Sequence, residues 1–319
     1  MKVFVEKEDT IVVALGGNAI IPKKSDGTLT EQKETTRLTM RAVARLIAEG
    51  HRLVLTHGNG PVVGNIVIRN EAAASQIAPM PLDVCVADSM GGIGYMIQQV
   101  LHNELRSLGI ERDVITLITQ VEVDLHDPAF RKPTKPIGPF YTEQQAEKLQ
   151  RKKGWKMVED AGRGWRRVVP SPKPIRIIEG EAVRAMVNAG PVVIAVGGGG
   201  IPVGAGAEGR LDGLEAVIDK DRTGFLLARA TGAKIFAILT GVEKVAIDYG
   251  KPEQRDLDSF TTAEARRWLE EGQFPPGSMG PKIEAAIAFL ERGGKGVLIT
   301  SVDNLYDGIK GTAGTWITP

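Results

Sequence analysis

The feature of this sequence that most constrains its fold is an apolar run that ends in four consecutive glycines. Residues 191–196 read PVVIAV, which predicts a short buried strand, and residues 197–200 are all glycine. Glycine is disfavoured inside regular structure, so four at a strand end indicate that the backbone itself closely approaches another group. Free amides there are suited to phosphate, although a flexible loop also fits. The spacing matches neither common glycine-rich nucleotide motif, so both interpretations stay open at this point.

A lysine and an aspartate follow downstream, at the predicted start of a helix. Residues 216–221 read AVIDKD, and the helical pattern after them ends near Gly232. Lys220 and Asp221 therefore fall in the first turn. A lysine there can meet a phosphoryl group, and a carboxylate can orient ammonium groups or hold a magnesium shell. A solvated charge pair is the alternative interpretation.

Two earlier strand-like runs also end in glycine turns. Residues 10–15 (TIVVAL) and 52–56 (RLVLT) read as buried strands, and Pro61 suits the first position of a helix after the second turn. Because the carboxyl ends of parallel strands meet at one sheet edge, the three turns together predict one phosphate-type site. The residues of the two earlier turns are Gly16, Gly17, Asn18, His57, Asn59 and Gly60. We expect His57 to shape its loop rather than to act as an acid or base.

A third region, from about residue 124 to about residue 176, is rich in prolines, tryptophans and cations. Its two apolar clusters predict a small unit of two or three strands outside the main sheet, with a helix over residues 141–153. Lys135, stiffened between Pro133 and Pro136, is the residue best placed to reach a ligand from such a lid.

A second lysine at a helix start lies in the C-terminal half. Residues 277–282 read GSMGPK and precede a helical pattern. The helix dipole repels a cation at this end unless an anion compensates, so Lys282 is predicted to contact phosphate.

The segment 81–109 predicts a long helix with a wide apolar stripe. Such a stripe is typical of core packing, and a share of it is compatible with a subunit interface.

Charge and composition argue against several classes of partner. Lys plus Arg number 40 against 39 Asp plus Glu in 319 residues, which gives no electrostatic case for nucleic acid or a membrane. No apolar run reaches the roughly 18 residues of a membrane-spanning helix, so we expect a cytoplasmic protein. The single cysteine, Cys85, predicts a buried thiol rather than a disulfide framework. The histidines without metal-type neighbours, expected to be ordinary helix or surface residues, are His51, His102 and His126.

Eight segments, taken in order along the chain, resemble the carbamate kinases of the amino acid kinase family. They are GGNA (16–19), HGNGP (57–61), PTKPIGPFY (133–141), GRGWRRVVPSPKP (162–174), GGGGIPV (197–203), AVIDKD (216–221), YGKP (249–252) and GSMGPK (277–282). The resemblance implies an α/β fold, an open αβα sandwich of two lobes with a mostly parallel central sheet and a small protruding lid. Residues 1–190 would form the lobe for the carbamoyl substrate, with the lid at about 124–176. Residues 191–319 would form the nucleotide-binding lobe.

The same resemblance implies reversible phosphoryl transfer between carbamoyl phosphate and ADP, giving ATP and carbamate, with Mg²⁺ and usually in a homodimer. By motif, Lys135 would contact the substrate, Lys220 and Lys282 would stabilise the phosphoryl group, and Asp221 would organise both lysines. The residues of the phosphate and carbamoyl cradle would be Gly16, Gly17, Asn18, Asn59, Gly60, Gly198 and Gly199. The residues of the nucleotide side would be Tyr249, Lys251, Pro252, Met279 and Lys282. The resemblance assigns no direct protein ligand to the metal.

Two alternative functions stay open on the sequence. Another acyl-phosphate-forming kinase of the same family would need room for an amino-acid side chain, and the proline-rich segment around Lys135 argues against it. A non-catalytic module that senses carbamoyl phosphate or nucleotide would be expected to lack a lysine or Asp221, and all are present.

Overall fold

The computed structural model describes residues 5–20, 27–160, 162–275 and 277–319, except for the side chain of Asn18. The α-helices in these residues are α1 (Leu29–Ala48), α2 (Gly60–Ala73), α3 (Leu82–Ser107), α4 (Glu143–Lys153), α5 (Gly180–Ala189), α6 (Lys220–Thr231), α7 (Thr262–Glu270), α8 (Met279–Leu290) and α9 (Leu305–Ile309). The strands are β1 (Thr10–Leu15), β2 (Arg52–His57), β3 (Val114–Thr116), β4 (Gln120–Val123), β5 (Lys135–Tyr141), β6 (Lys156–Glu159), β7 (Trp165–Val169), β8 (Pro174–Ile177), β9 (Val192–Ile194), β10 (Ile201–Ala205), β11 (Leu211–Gly213), β12 (Ile235–Thr240), β13 (Val245–Ile247), β14 (Arg255–Leu257), β15 (Ser259–Thr261), β16 (Gly296–Ser301) and β17 (Thr315–Thr318).

An eight-stranded sheet forms the centre of the fold, in the order β15-β17-β16-β12-β1-β2-β9-β3. Strands β16 and β17 are antiparallel, and the other neighbouring pairs are parallel. This arrangement confirms the mostly parallel sheet that the sequence predicted. Strand β9 lies between β2 and β3, and the division into lobes at residue 190 stays a prediction.

The side chains of β1 alternate between two hydrophobic cores. Val12 and Ala14 belong to the core that contains α6 and α8. Ile11, Val13 and Leu15 belong to the core that contains α1 and α3. Because successive strand residues point to opposite faces, helices must cover both sides of the sheet, which gives the predicted αβα sandwich.

The apolar stripe of α3 is used inside the chain. Ile93, Ile97, Leu101 and Leu105 are at most 2 % exposed and pack in the core with α1, whereas Leu108, just beyond the helix, is half exposed. The stripe therefore packs as core, as predicted.

The predicted lid is a three-stranded antiparallel sheet, in the order β5-β7-β6, with α4 beside it. Strand β5 crosses α2 at very short range, because a Cβ added to Gly64 would lie 2.1 Å from the Cα of Gly138. Ile137 is 1 % exposed and packs in a small core with Val63 of α2 and Val217. This packing brings Lys135, the first residue of β5, to the edge of the main sheet.

Beyond Thr116, the last residue of β3, the chain joins a second sheet, β11-β10-β4-β8, through β4. One local prediction was wrong, because His51 was expected to be an ordinary helix or surface residue. His51 is only 5 % exposed, because it lies in the tight connection before β2. Burial lowers the pKa of its imidazole.

Cys85 is 1 % exposed, as predicted, and burial raises the pKa of its thiol. Among the described residues, no helix is both long and apolar enough to cross a membrane.

Candidate active site

The turns after β1, β2, β9 and β12 meet at a cleft of about 350 Å³ at the carboxyl edge of the sheet. The lid and the first turns of α6 and α8 complete its walls. The predicted site residues that line it are Gly16, Gly17, Asn59, Gly60, Lys135, Gly198, Lys220, Asp221 and Lys282. Segments that are far apart in sequence thus converge where helix N-termini and free amides are suited to a phosphorylated ligand.

The glycine run after β9 adopts a conformation that side chains would obstruct. Gly198 has a φ of 70°, and a Cβ on it would lie 2.2 Å from the side-chain Nδ2 of Asn59. Gly199 lies behind the cleft lining, and its own amide donates to the carbonyl of Val196 at 3.0 Å. Of the two cradle glycines predicted in this run, Gly198 lines the cleft and Gly199 shapes the turn. The side chain of Asn18, a third predicted cradle residue, lies outside the described residues.

Two lysines and an aspartate form a buried ionic triad in the cleft. Asp221 is 3 % exposed; its Oδ1 accepts from the Nζ of Lys220 at 2.6 Å, and its Oδ2 accepts from the Nζ of Lys282 at 2.6 Å. Lys220 opens α6 and Lys282 lies in the first turn of α8, two helices that pack against each other. The helix pair therefore places both ammonium groups side by side at the cleft. The role of Asp221 as their organiser in catalysis stays a prediction.

Burial and the neighbouring opposite charges shift the pKa values of Asp221 and Lys220 in opposite directions. Burial by itself would raise the pKa of Asp221, but the ammonium groups of Lys220 and Lys282 hold the pKa of that carboxyl below its usual value. For Lys220, burial dominates and lowers the pKa of the ammonium, although Asp221 opposes the shift. The carboxylate therefore stays ionised and keeps the neighbouring cations in place.

Lys135 reaches the cleft from the lid and meets a carboxylate that the sequence analysis did not assign. Its Nζ lies 2.7 Å from the Oδ2 of Asp219. The Oδ1 of Asp219 accepts from the backbone N–H of Asp221 at 3.0 Å and so caps α6. Burial would raise the pKa of Asp219, but Lys135 keeps it well below the usual value. An aspartate directly before a predicted helix start was a signal for this cap, whereas no sequence signal indicated its ion pair with the lid.

On the roles that the family resemblance implies, replacing Lys135 by methionine is expected to raise the KM for carbamoyl phosphate about tenfold and to leave ADP affinity unchanged. The substitution removes one cation from one wall of the cleft. Steady-state kinetics and calorimetry measure the two quantities. Lys156→Met is the matched control, because Lys156 belongs to the same lid and, within the described part of the chain, its ammonium donates to the carbonyl of Arg131 and does not line the cleft. A loss of ADP affinity in Lys135→Met with unchanged KM would contradict the assignment of the lid to the substrate side.

A second pocket, of about 180 Å³, adjoins the main cleft. Its lining includes Tyr249, Met279 and Lys282, and Lys282 also lines the main cleft. Lys251 and Pro252 do not line this pocket; the ammonium of Lys251 pairs with Asp248 at 2.9 Å in an exposed turn. The residues of this pocket that sequence reasoning did not assign are Thr240, Val242, Lys244, Ala246, Gln273, Phe274, Pro275 and Ser278. Of these, Ser278 lies in a quoted motif, GSMGPK (277–282), and the others lie in none.

His57 is fully buried and stabilises its own turn. Its Nδ1 lies 3.1 Å from the carbonyl of Gly58, which assigns the proton to that nitrogen. Its ring packs against Gly197, where a Cβ would lie 2.3 Å from Nε2. Burial lowers the pKa of His57 to about 4, so the ring is neutral near pH 7 and has the loop-shaping role that we expected.

The low pKa of His57 predicts acid sensitivity of the folded protein. Between about pH 6.5 and pH 4 the unfolded chain binds a proton that the buried ring excludes, so the free energy of unfolding falls with pH by on the order of 3 kcal/mol. Urea unfolding at several pH values measures this loss, and His57→Gln should reduce it. His51→Gln is the companion variant, since burial lowers that pKa in the same sense. If the free energy of unfolding of His57→Gln fell as much between these pH values as that of wild type, His57 would not be the source of the acid sensitivity.

The fold and the site define the class of this protein: the chain belongs to the amino acid kinase family, whose sequence pattern matches residues 9–301. It is a kinase. It is 48 % identical over 313 residues to the carbamate kinase of Pyrococcus horikoshii, an alignment that covers 98 % of this chain and 99 % of the relative. It is 52 % identical to the carbamate kinase-like protein YqeA of Escherichia coli K12, with 96 % and 98 % covered. The solved structure of Giardia lamblia carbamate kinase bound to AMP-PNP matches with a TM-score of 0.90 and 40 % identity, covering 98 % of this chain and 99 % of that one.

Proposed function

We propose that this chain is a cytoplasmic carbamate kinase, which transfers a phosphoryl group reversibly between carbamoyl phosphate and ADP to give ATP and carbamate. The observation that supports this most directly is the triad in which Asp221 holds Lys220 and Lys282 at 2.6 Å each. Lys282 lines both the main cleft and the adjoining pocket, so one ammonium lies where two ligands would meet. The reduced, buried state of the single cysteine is compatible with the cytoplasm.

The reaction needs charge stabilisation and alignment rather than proton transfer. In the direction of ATP formation, the bond from phosphorus to the carbamate oxygen breaks while a bond forms from phosphorus to a terminal oxygen of ADP. Both oxygens are anionic, so no general base is required. Negative charge spreads over the oxygens of the transferred group, and Lys220 and Lys282 stabilise that charge. The two pockets fix the donor and the acceptor in line.

We assign the two substrates to the two pockets. The main cleft, with Gly198, Asn59 and Lys135, would bind carbamoyl phosphate, because small anions fit amides and a lysine from the lid. The adjoining pocket, with Tyr249, Phe274 and Met279, would bind the base of ADP, because its lining offers apolar and aromatic surface.

Magnesium would accompany the nucleotide in this proposal. Among the described residues, no three acidic, histidine or cysteine side chains cluster as a metal site. The two carboxylates of the cleft, Asp219 and Asp221, are each paired with lysine at 2.6 to 2.7 Å. Oxygens of the nucleotide phosphates are thus the better ligands, with these carboxylates available through water. Bound there, Mg²⁺ neutralises charge on the phosphates.

We further propose a homodimer. The outer surfaces of α1 and α3 expose Leu38 and Tyr95, and Leu29 at the start of α1, each at 50 % or more. Apolar side chains on neighbouring helices are suited to self-association. Light scattering after size exclusion measures the mass, and a monomer at micromolar concentration would contradict the proposal.

The function is tested by ATP formation from ADP with three phosphoryl donors: carbamoyl phosphate, acetyl phosphate and acetylglutamyl phosphate. We expect carbamoyl phosphate to give by far the highest kcat/KM. Preference for acetylglutamyl phosphate would support another acyl-phosphate kinase, and binding of ADP without turnover of any donor would support a sensing module. The assay is needed because one relative is described only as carbamate kinase-like.

A further inference from the structure

The residue just before the glycine run has an unusual backbone conformation. Val196 has a φ of 48° and a ψ of 35°, which lies in the left-handed region, and its side chain is fully buried. A β-branched residue is rarely found there, because its Cβ crowds the following carbonyl. Such a conformation persists only where surrounding contacts impose it, and it is often found at functional sites.

Two threonine hydroxyls hold the two polar groups of Val196. Its N–H donates to the Oγ1 of Thr119 at 2.7 Å, and its carbonyl accepts from the Oγ1 of Thr56 at 3.1 Å. Both threonines are 0 % exposed. Thr56 lies in β2 and Thr119 lies in the connection from β3 to β4, so two separate parts of the chain fix one peptide.

A third buried threonine links the glycine run to the helix of the ionic triad. The Oγ1 of Thr223 donates to the carbonyl of Gly199 at 3.0 Å and to the carbonyl of Asp219 at 3.2 Å. Thr223 is 0 % exposed and lies in α6, two residues after Asp221. The glycine run over residues 197–200 is therefore hydrogen-bonded to α6, the helix that begins at Lys220.

We propose that Thr56, Thr119 and Thr223 are positioning residues for phosphoryl transfer. They do not reach the cleft, since none of them lines it. They impose the left-handed turn at Val196 and so set the distance between the glycine cradle and Lys220. This inference rests on the proposed function for its kinetic consequence, whereas the geometry of the turn is independent of it.

Thr119→Val removes the partner of the Val196 N–H, and Thr223→Val removes the hydroxyl that donates to the Gly199 carbonyl. Thr56→Val leaves the Val196 carbonyl with the N–H of Gly199 alone. Each change weakens the contacts that hold the turn and allows it to relax. The cradle and Lys220 then no longer hold the phosphoryl group in line. The nucleotide pocket should be unaffected, because β12, α8 and the residues between them form it without the glycine run.

The variants are Thr56→Val, Thr119→Val and Thr223→Val, each with its serine counterpart. We expect kcat/KM for carbamoyl phosphate to fall on the order of tenfold in each valine variant, and serine to restore it. The ADP dissociation constant should change less than about twofold, because the glycine run does not line the nucleotide pocket. Loss of a hydrogen bond within that pocket would instead change it by about tenfold. Hydrogen exchange of the peptide over residues 192–205 should be faster in the valine variants only.

Two threonines serve as matched controls. Thr36 and Thr300 are at most 1 % exposed, and their hydroxyls have no partner among the described residues. Thr36→Val and Thr300→Val should therefore leave both the kinetics and the exchange of residues 192–205 unchanged.

A lower melting temperature with unchanged kcat/KM in the valine variants would mean that the threonines are merely structural, and would overturn the proposal. Serine variants as impaired as the valine variants would overturn it as well. If a valine variant does not fold, the cysteine variant replaces it, because a thiol is only a weak donor and acceptor. If wild type does not use carbamoyl phosphate at all, the proposed function fails, and the exchange measurement still decides whether the threonines fix the turn.

Discussion

The Asp221→Asn variant is expected to lose at least about a hundredfold in kcat while its nucleotide affinity changes little. Asparagine keeps the shape of the side chain but removes the charge to which Lys220 and Lys282 are bonded at 2.6 Å. Without that carboxylate the two ammonium groups repel each other, and Lys220, whose pKa burial already lowers, loses its main opposing interaction. Both cations then lose the orientation that charge stabilisation in the transition state requires.

The same variant should also be less stable, and by more than a helix-end charge alone would suggest. A carboxylate at a helix N-terminus contributes roughly 0.3–1 kcal/mol. Asp221 is 3 % exposed and has two cationic partners, so removing it leaves buried charge without compensation, which we expect to lower the free energy of unfolding by about 3 kcal/mol at pH 7. The stabilising contribution of Asp221 is present above the usual aspartate pKa and is lost as the pH falls through its lowered folded pKa.

Melting temperature and kcat measured on one preparation separate the two effects. Asp212→Asn is the matched control, because Asp212 pairs with Arg210 at 3.5 Å on the surface and lines neither pocket. It should change stability by less than about 1 kcal/mol and leave turnover intact. Normal turnover in a destabilised Asp221→Asn protein would show that Asp221 supports only the helix.

The second large loss of activity is expected when either Lys220 or Lys282 is replaced. The structure predicts that the two replacements differ in their effect on ADP binding. Lys220→Met and Lys282→Met should each lower kcat by about a hundredfold, since each removes one cation from the transferred group at a cost of about 3 kcal/mol. Lys282 lines both pockets, whereas Lys220 lines only the main cleft. Lys282→Met should therefore also weaken ADP binding, and Lys220→Met should leave it nearly unchanged.

Calorimetry with ADP and steady-state kinetics test this difference, with Lys310→Met as a remote control. Lys310 pairs with Glu49 on the surface, so Lys310→Met should change neither ADP affinity nor kcat. Near-wild-type kcat in either site variant would remove that lysine from the mechanism. Equal loss of ADP affinity in both would contradict the division of the site into two pockets.

The sequence by itself predicted several of the elements and, with the family resemblance, most of the predicted site residues that line the cleft. Strand β1, and the start of α6 at Lys220 and its end before Gly232, all follow from local patterns. These features depend on residues within a few positions of one another, where periodicity and capping act directly.

Only the tertiary structure decided which distant groups meet. Lys135 and Asp219 are separated by 84 positions, and no local pattern pairs them until the lid packs on α2. Likewise, Thr56 meets Val196 across 140 positions. Glycine identity could not tell Gly198, which lines the cleft, from Gly199, which lies behind it. Such contacts depend on how strands and helices pack against one another, and that packing is set by the whole core rather than by neighbouring residues.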